Sequence, residues 1–296
     1  MRGSCAYLLL LGLLLVLAVG CGRRSDKAVK MGNEAAEKGD LDLAVAQFNE
    51  AIRLDPTDAR AFCGRGDAYQ RTGDHDKAIT DLSEALRLDP RNAKAYCIRG
   101  DEYRMKKQWK KAIADYTDAV RLDPNSVDGY WGRGLAYSAA GELDKAVADE
   151  TKAIELNPNF VRARTGRGGI YNQLGELDKA MADYDEAIRL DPKLAFAYCG
   201  RGGVYNKMKK LDKAMADYDE AIRLDPKFAF AYFGRSGVKV GVEDWNSAAV
   251  DLSIAIALDP RDPAYYEIRA LVNRRLGRMA EATSDQEKAD RLRTGL

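Results

Sequence analysis

From Ser25 onward, apolar residues recur at three- and four-residue intervals in short blocks that alternate with Gly or Asp-Pro punctuation, the pattern of consecutive amphipathic helices. Ala59 to Thr72 and Asp74 to Leu88 form one such pair, broken at Gly73 and closed by Leu88-Asp89-Pro90. Prolines at Pro56, Pro90, Pro124, Pro158, Pro192, Pro226 and Pro260 hold a spacing of 34 residues without insertion or deletion. The period divides Ser25 to Leu296 into eight units starting at Ser25, Ala59, Ala93, Val127, Val161, Ala195, Ala229 and Pro263. Each unit predicts a helical hairpin, too small to bury its own core and stable only when stacked on neighbours. Asp58, Asn92, Ser126 and Asp262 stand where the first helices need N-caps, and Pro263 suits a first helical position.

Small residues hold fixed places. The second helices carry Ala78, Ala112, Ala146 and Ala180 at one position, and Ala85, Ala119, Ala153 and Ala187 seven residues on; Gly66, Gly100, Gly134, Gly168 and Gly202 recur on the first helices. These allow close helix approach, while Phe62, Tyr69, Tyr96, Tyr103, Tyr130, Tyr137, Tyr198 and Tyr205 are expected to fill the core between them. The order Tyr96, Gly100, Tyr103, Ala112, Tyr116, Ala119, Pro124 resembles the tetratricopeptide repeat family across residues 25–296. The resemblance implies an all-α fold, a right-handed α-solenoid of eight 34-residue hairpins, with a concave groove that binds peptide segments or partner domains. Ala28 and Ala35 in the first unit, and Asn273 and Gln286 in the last, depart from the pattern as solvated end caps would.

One feature lies outside the family pattern. Arg65, Arg99, Arg133, Arg167, Arg201, Arg235 and Arg269 recur where the family usually has Leu, each followed sixteen residues later by Asp81, Asp115, Asp149, Asp183, Asp217, Asp251 or Asp285. The first unit lacks both charges, with Met31 and Gln47 in their places. Their joint absence predicts bidentate Arg–Asp pairs inside each hairpin. A ladder of free guanidinium groups for an anionic glycan or nucleic acid is the functional alternative.

Arg2 precedes an uncharged run from Gly3 to Gly22 rich in Leu, the layout of a secretory signal over residues 1–20. Ala18-Val19-Gly20-Cys21 resembles the lipobox of bacterial lipoproteins, which implies lipidation of Cys21 after cleavage, with residues 21–24 forming a short spacer. An uncleaved helix is the rival reading, since about 20 uncharged residues just span a bilayer. Either way the chain is expected to be exported and tethered in a bacterial cell envelope. Gly22 is not the Asp that retains such lipoproteins in the inner membrane of enteric bacteria.

Loss of residues 1–20 removes Arg2 and no acid, leaving 46 basic and 46 acidic groups. A neutral domain weakens a nucleic-acid reading, which needs a basic excess or stripe. The repeats also occupy the chain after the leader, so no catalytic domain and no enzyme are expected. Cofactor signatures are missing: there is no Cys-x-x-Cys, His-x-x-x-His or phosphate loop. Gly-Arg-Gly-Gly at 166–169 and 200–203 is better explained by helix packing than by an anion nest. His75, the single histidine, reads as a surface residue. Cys63, Cys97 and Cys199 share one position in units two, three and six; equivalent atoms on stacked hairpins lie about 10 Å apart, too far for a disulfide. Free thiols follow, with a soft-metal or intermolecular role as the alternative.

The groove is expected to be divided. Arg60, Asp67, Lys94, Asp101 and Arg104 present charge early, and Trp131, Asn172, Phe196, Asn206, Phe230 and Phe233 present aromatic and amide groups later. Gly169, Gly203 and Gly237 would leave hollows beside the phenylalanines for apolar side chains, unless those rings pack between units. The Lys and Asn array that clamps a C-terminal carboxylate in some family members is not reproduced, since Asn33 has Val29 one turn earlier. Residues 177–193 and 211–227 are identical, so specificity must lie on the variable first helices. The expected function is a membrane-tethered adaptor or scaffold for a protein or peptide partner. The alternatives are a self-assembling structural homo-oligomer and, third, a thiol-dependent metal carrier.

Overall fold

The computed structural model describes residues 24–294, all helix and connecting turns, with no strand among them. The signal segment and Cys21 lie outside the described residues. The helices are α1 (24–37), α2 (Leu41–Leu54), α3 (Ala59–Thr72), α4 (His75–Leu88), α5 (Ala93–Met105), α6 (Trp109–Leu122), α7 (Val127–Ala139), α8 (Leu143–Leu156), α9 (Val161–Leu174), α10 (Leu177–Leu190), α11 (Ala195–Lys207), α12 (Leu211–Leu224), α13 (Ala229–Gly241), α14 (Trp245–Leu258), α15 (Pro263–Arg275) and α16 (Met279–Thr294). Consecutive pairs form helical hairpins, so the chain is an α-solenoid. It divides into two compact halves, one ending at Leu156 and one beginning at Asn157. Among the described residues no helix is long and apolar enough to cross a membrane.

Local chemistry sets the helix ends. The side chains of Asp58, Asn92, Ser126 and Asp262 each accept a hydrogen bond from a first-turn backbone N–H, and Pro263 opens α15. Asp40, Asp74 and Asp244 cap second helices in the same way. The turn inside each hairpin needs a left-handed residue. Gly39, Gly73, Gly141, Gly175 and Gly277 supply it without strain, whereas Lys107, Lys209 and Glu243 adopt it at φ 56°, 60° and 61°. A side chain there costs about 1 kcal/mol. Lys209→Gly is therefore expected to raise the unfolding free energy by about that amount, measured as a higher urea midpoint at unchanged m-value.

The Arg–Asp ladder forms as bidentate pairs within each hairpin. Arg99 Nε and Nη2 each lie 2.8 Å from Asp115, and Arg201 makes the same two bonds to Asp217 at 2.8 Å. Arg65, Arg133, Arg167, Arg235 and Arg269 repeat the geometry on their own aspartates. In the rungs of Arg65, Arg99, Arg133, Arg201, Arg235 and Arg269 the remaining Nη1 also reaches the second helix of the preceding unit, where sequence reasoning placed nothing. Arg99 donates to Ser83 at 3.1 Å, Arg201 to Asp185 at 2.7 Å and Arg235 to Asp219 at 2.6 Å. One planar guanidinium thus ties three helices together, which Lys could not do.

The tyrosines expected in the core are half-buried instead. They stack on the ladder: Arg99 lies 5.8 Å from the ring centroids of both Tyr96 and Tyr103, and Arg201 lies 5.5 Å from Tyr198 and 5.9 Å from Tyr205. Amphipathic tyrosine suits this place because its ring covers the cation while its hydroxyl stays wet. In the last two units Lys239 and Asn273 take the place of the second tyrosine. They bond the aspartate directly, Lys239 to Asp251 at 2.7 Å and Asn273 to Asp285 at 3.1 Å.

The core itself is built from the alanines and one large residue per second helix. Phe48, Tyr116, Tyr184 and Tyr218 each project toward the next unit, where Gly64, Gly132, Gly200 and Gly234 receive them. A Cβ on any of these glycines would sit 2.3–2.4 Å from a ring atom. Where the large residue is Leu82 or Leu252, the facing position holds Ile98 or Ile268.

Three further expectations change. Asn273, read as a solvated end residue, is buried because Asp285 requires its amide. Ala28 and Ala35 are likewise buried, against Phe48, since small residues let α1 close over that ring. His75 is not a plain surface residue. Its Nδ1 lies 2.7 Å from Glu102 Oε2, and Glu102 is 1 % exposed at a position that holds Ala68, Ala136 or Val204 in other units. His75→Ala is expected to lower stability by about 2 kcal/mol by removing a partner of that buried carboxylate. The double change to His75→Leu and Glu102→Val should restore it, as judged by chemical denaturation.

Candidate functional site

In the second half an apolar hollow of about 510 Å³ opens on the first helices α9, α11 and α13. It exists because Gly169, Gly203 and Gly237 leave space. A Cβ at Gly169 or Gly203 would meet nothing closer than 3.6 Å, and one at Gly237 would meet no atom within 4 Å. Asn172, Phe196, Asn206, Phe230 and Phe233 come together around this space. Phe196 and Phe230 are 50 % and 53 % exposed, large apolar groups left facing solvent. Phe233 behaves differently: it packs between units, 5.0 Å from the Tyr265 ring.

The rings form a continuous row. Centroids of Phe196 and Phe228 are 6.2 Å apart, Phe228 and Phe230 6.4 Å, and Phe230 and Phe233 6.1 Å, all within the range of favourable tilted aromatic pairs. Tyr184 and Tyr218 form the floor, their hydroxyls beside Gly169 and Gly203. Burial raises the pKa of both phenols, so they remain neutral. Asn172 Oδ1 is buried with no hydrogen-bond partner in the protein, and none of the lining residues is charged.

The earlier residues are arranged otherwise. Arg60 pairs with Asp58 and Asp26, Lys94 Nζ is 3.3 Å from Asp67, and Arg104 is 3.1 Å from Asp101, which also accepts from the Tyr116 hydroxyl at 2.7 Å. These charges largely satisfy one another. Arg60, Asp67 and Lys94 border a smaller hollow of about 190 Å³. Trp131 is half-buried on α7, in the half of the chain that does not contain the large hollow.

Cys63, Cys97 and Cys199 are free thiols. Burial pushes Cys199 up to about 12 and Cys97 up to about 11, and raises Cys63 as well, so the nucleophilic thiolate is scarce at neutral pH. Among the described residues no group of three or more His, Cys, Asp or Glu is placed to hold a metal.

Sequence reasoning missed the floor and ends of the hollow, Tyr184, Tyr218, Val240 and Ile268, and Phe228 in the row of rings. The signal was available for the tyrosines, because an aromatic in one unit is matched by Gly sixteen residues later in the next, as at Tyr184 and Gly200. Only the size of the contact, and not the period, carries that information.

Stacked helical hairpins repeating every 34 residues define an α-solenoid of helical repeats. The chain belongs to the tetratricopeptide repeat family. Models of tetratricopeptide repeats match residues 32–73, 100–141 and 168–209, residues 59–92 and 195–228, residues 238–294 and residues 127–160. Repeats of this family generally mediate protein–protein interactions. A tetratricopeptide repeat protein from Parabacteroides merdae is similar in structure at 24 % identity and TM-score 0.69, over 85 % of this chain and 99 % of that one. YrrB, described as a TPR protein with an unusual peptide-binding site, matches at 26 % identity and TM-score 0.54, over 62 % of this chain and 95 % of its own. MamA matches at 30 % identity and TM-score 0.52, over 56 % of this chain and 96 % of its own. No curated protein is a significant sequence match.

Proposed function

We propose that the protein is a non-enzymatic, membrane-tethered adaptor of the bacterial envelope that holds a protein partner through a peptide segment seated in the hollow of α9, α11 and α13. The observation that carries this reading is the pair of exposed rings, Phe196 and Phe230, above a glycine-walled cavity large enough for two side chains. The binding reading draws on the family's general role and on the peptide-binding site of YrrB. The tether rests on the Ala18-Val19-Gly20-Cys21 sequence, with Cys21 carrying the lipid. A photo-crosslinking residue at Phe230 in the native cell is expected to capture a discrete second protein, while the same residue at Glu186 on α10 captures none. Absence of an adduct specific to Phe230 would sink the groove reading. Cys21→Ser is expected to abolish incorporation of a labelled fatty acid, and unchanged labelling would remove the anchor.

Self-assembly is a second reading, favoured by α14. The outer acid–Arg pairs of other units, such as Glu186–Arg189 and Glu220–Arg223, are replaced there by Ile254 and Ala257. Val250 and Leu258 extend the same apolar face and are exposed. Sedimentation of the wild type and Ile254→Glu over a hundredfold concentration range tests it; a monomeric wild type throughout excludes it.

A further inference from the structure

The hollow is not one irregular cavity but two copies of one subsite. Gly169, Asn172 and Tyr184 of one unit combine with Phe196 and Gly200 of the next; Gly203, Asn206 and Tyr218 then combine with Phe230 and Gly234 in the same way. Each copy offers a tyrosine floor, a phenylalanine wall, a glycine opening and an asparagine. Two identical subsites one repeat apart call for a ligand that is itself repetitive at that spacing.

The spacing selects the ligand's conformation. The first helices of successive units touch directly, α9 with α11 and α11 with α13, which sets the step between subsites at about 10 Å. A polyproline II chain has three residues per turn and rises about 3.1 Å per residue, so residues i and i+3 point the same way about 9 Å apart. A β-strand returns to the same face only at about 7 or 13 Å, which misses both subsites together. The lining suits this choice. A polyproline II backbone leaves all its carbonyls and N–H groups unpaired, and Asn172 and Asn206 supply amides that can donate and accept. The tilted row of Phe196, Phe228, Phe230 and Phe233 makes an aromatic-lined trough of the kind that receives such helices. With no charged residue in the lining, a charged side chain entering it would be desolvated without a counter-ion.

We infer that the occupant is an uncharged segment in the polyproline II conformation with a bulky apolar side chain at every third position, one seated in each subsite. The inference rests on the groove reading above and deepens it.

The test uses the chain from Ser25 onward with its eight repeats intact, and synthetic peptides followed by fluorescence anisotropy. One nine-residue peptide has leucine at every third position and proline elsewhere; a second keeps the composition but places the leucines at alternate positions; a third has glutamate for each leucine. The first is expected to bind at least tenfold more tightly than the second, and the third not at all. Phe230→Ala and Gly203→Leu, one removing a wall and one filling an opening, should each weaken the first peptide at least tenfold while leaving the circular dichroism melt in place. Equal binding of the first two peptides, still lost in Phe230→Ala, would overturn the polyproline II register and leave the groove reading standing. Binding of the first peptide that is indifferent to Phe230→Ala and Gly203→Leu, or no binding of it at all, would overturn the inference, and the crosslink at Phe230 then decides separately whether the groove is used.

Discussion

Asp115→Ala is expected to lower the unfolding free energy by about 3 kcal/mol. Asp115 is buried and accepts two bonds from Arg99, whose only other bonded partner in the ladder is the neutral Ser83 hydroxyl. Removing the carboxylate strands a guanidinium that is 18 % exposed, so most of the desolvation cost remains without its compensation. Asp217→Ala should cost about 1 kcal/mol less, because Asp185 stays 2.7 Å from Arg201 and, being half exposed, contributes on the scale of a surface ion pair. The contrast is read from urea midpoints of the two variants. It should narrow in 1 M salt, where the exposed Asp185 pair is screened and the buried contacts are not. Replacing both partners, Arg99→Met with Asp115→Leu, is expected to recover most of the loss, since a matched apolar pair substitutes well for a buried ion pair. Equal losses at Asp115 and Asp217 would mean that the third contact of each rung carries no weight.

Gly64→Ile is expected to cost at least about 3 kcal/mol. A Cβ at that site would sit 2.4 Å from Phe48 Cζ, and Phe48 is 1 % exposed with nowhere to move. Phe48→Leu alone should cost about 1–2 kcal/mol by opening a cavity. The two together reproduce the Leu82 and Ile98 pairing found one unit later and should recover more than half of the single-site loss. A double-mutant cycle in denaturant measures the interaction directly; additive losses would refute size matching between units. The outcome bears on function as well, because the same pairing at Tyr184 with Gly200 and Tyr218 with Gly234 builds the floor of the hollow. The core contact between units and the depth of the binding site are one design.

Much of this was legible before any coordinates. The period of 34 residues, the helix boundaries at Gly73 and Pro90, the caps at Asp58 and Asn92 and the sixteen-residue offset of Arg and Asp are local or strictly periodic features. In a solenoid each element meets only its neighbours, so sequence separation translates directly into contact. The same logic located Asn172, Phe196, Asn206 and Phe230 on one face. What the period could not supply was the identity of a neighbour in the adjoining unit when several positions compete for it. The third contact of each rung, Arg201 to Asp185, depends on how far α10 and α11 are offset. The bond from His75 to Glu102 depends on which first-helix residue faces the start of α4. Whether a phenylalanine packs or faces solvent was likewise beyond the pattern. Phe233 turns in against Tyr265 while Phe230, three residues earlier on α13, stays out. The sequence by itself determined the fold, the unit and the within-hairpin charge pairs, because those follow from spacing along one chain. Only the tertiary structure decided that two glycine-walled subsites merge into one uncharged hollow, because that depends on the rotation of each hairpin against the next.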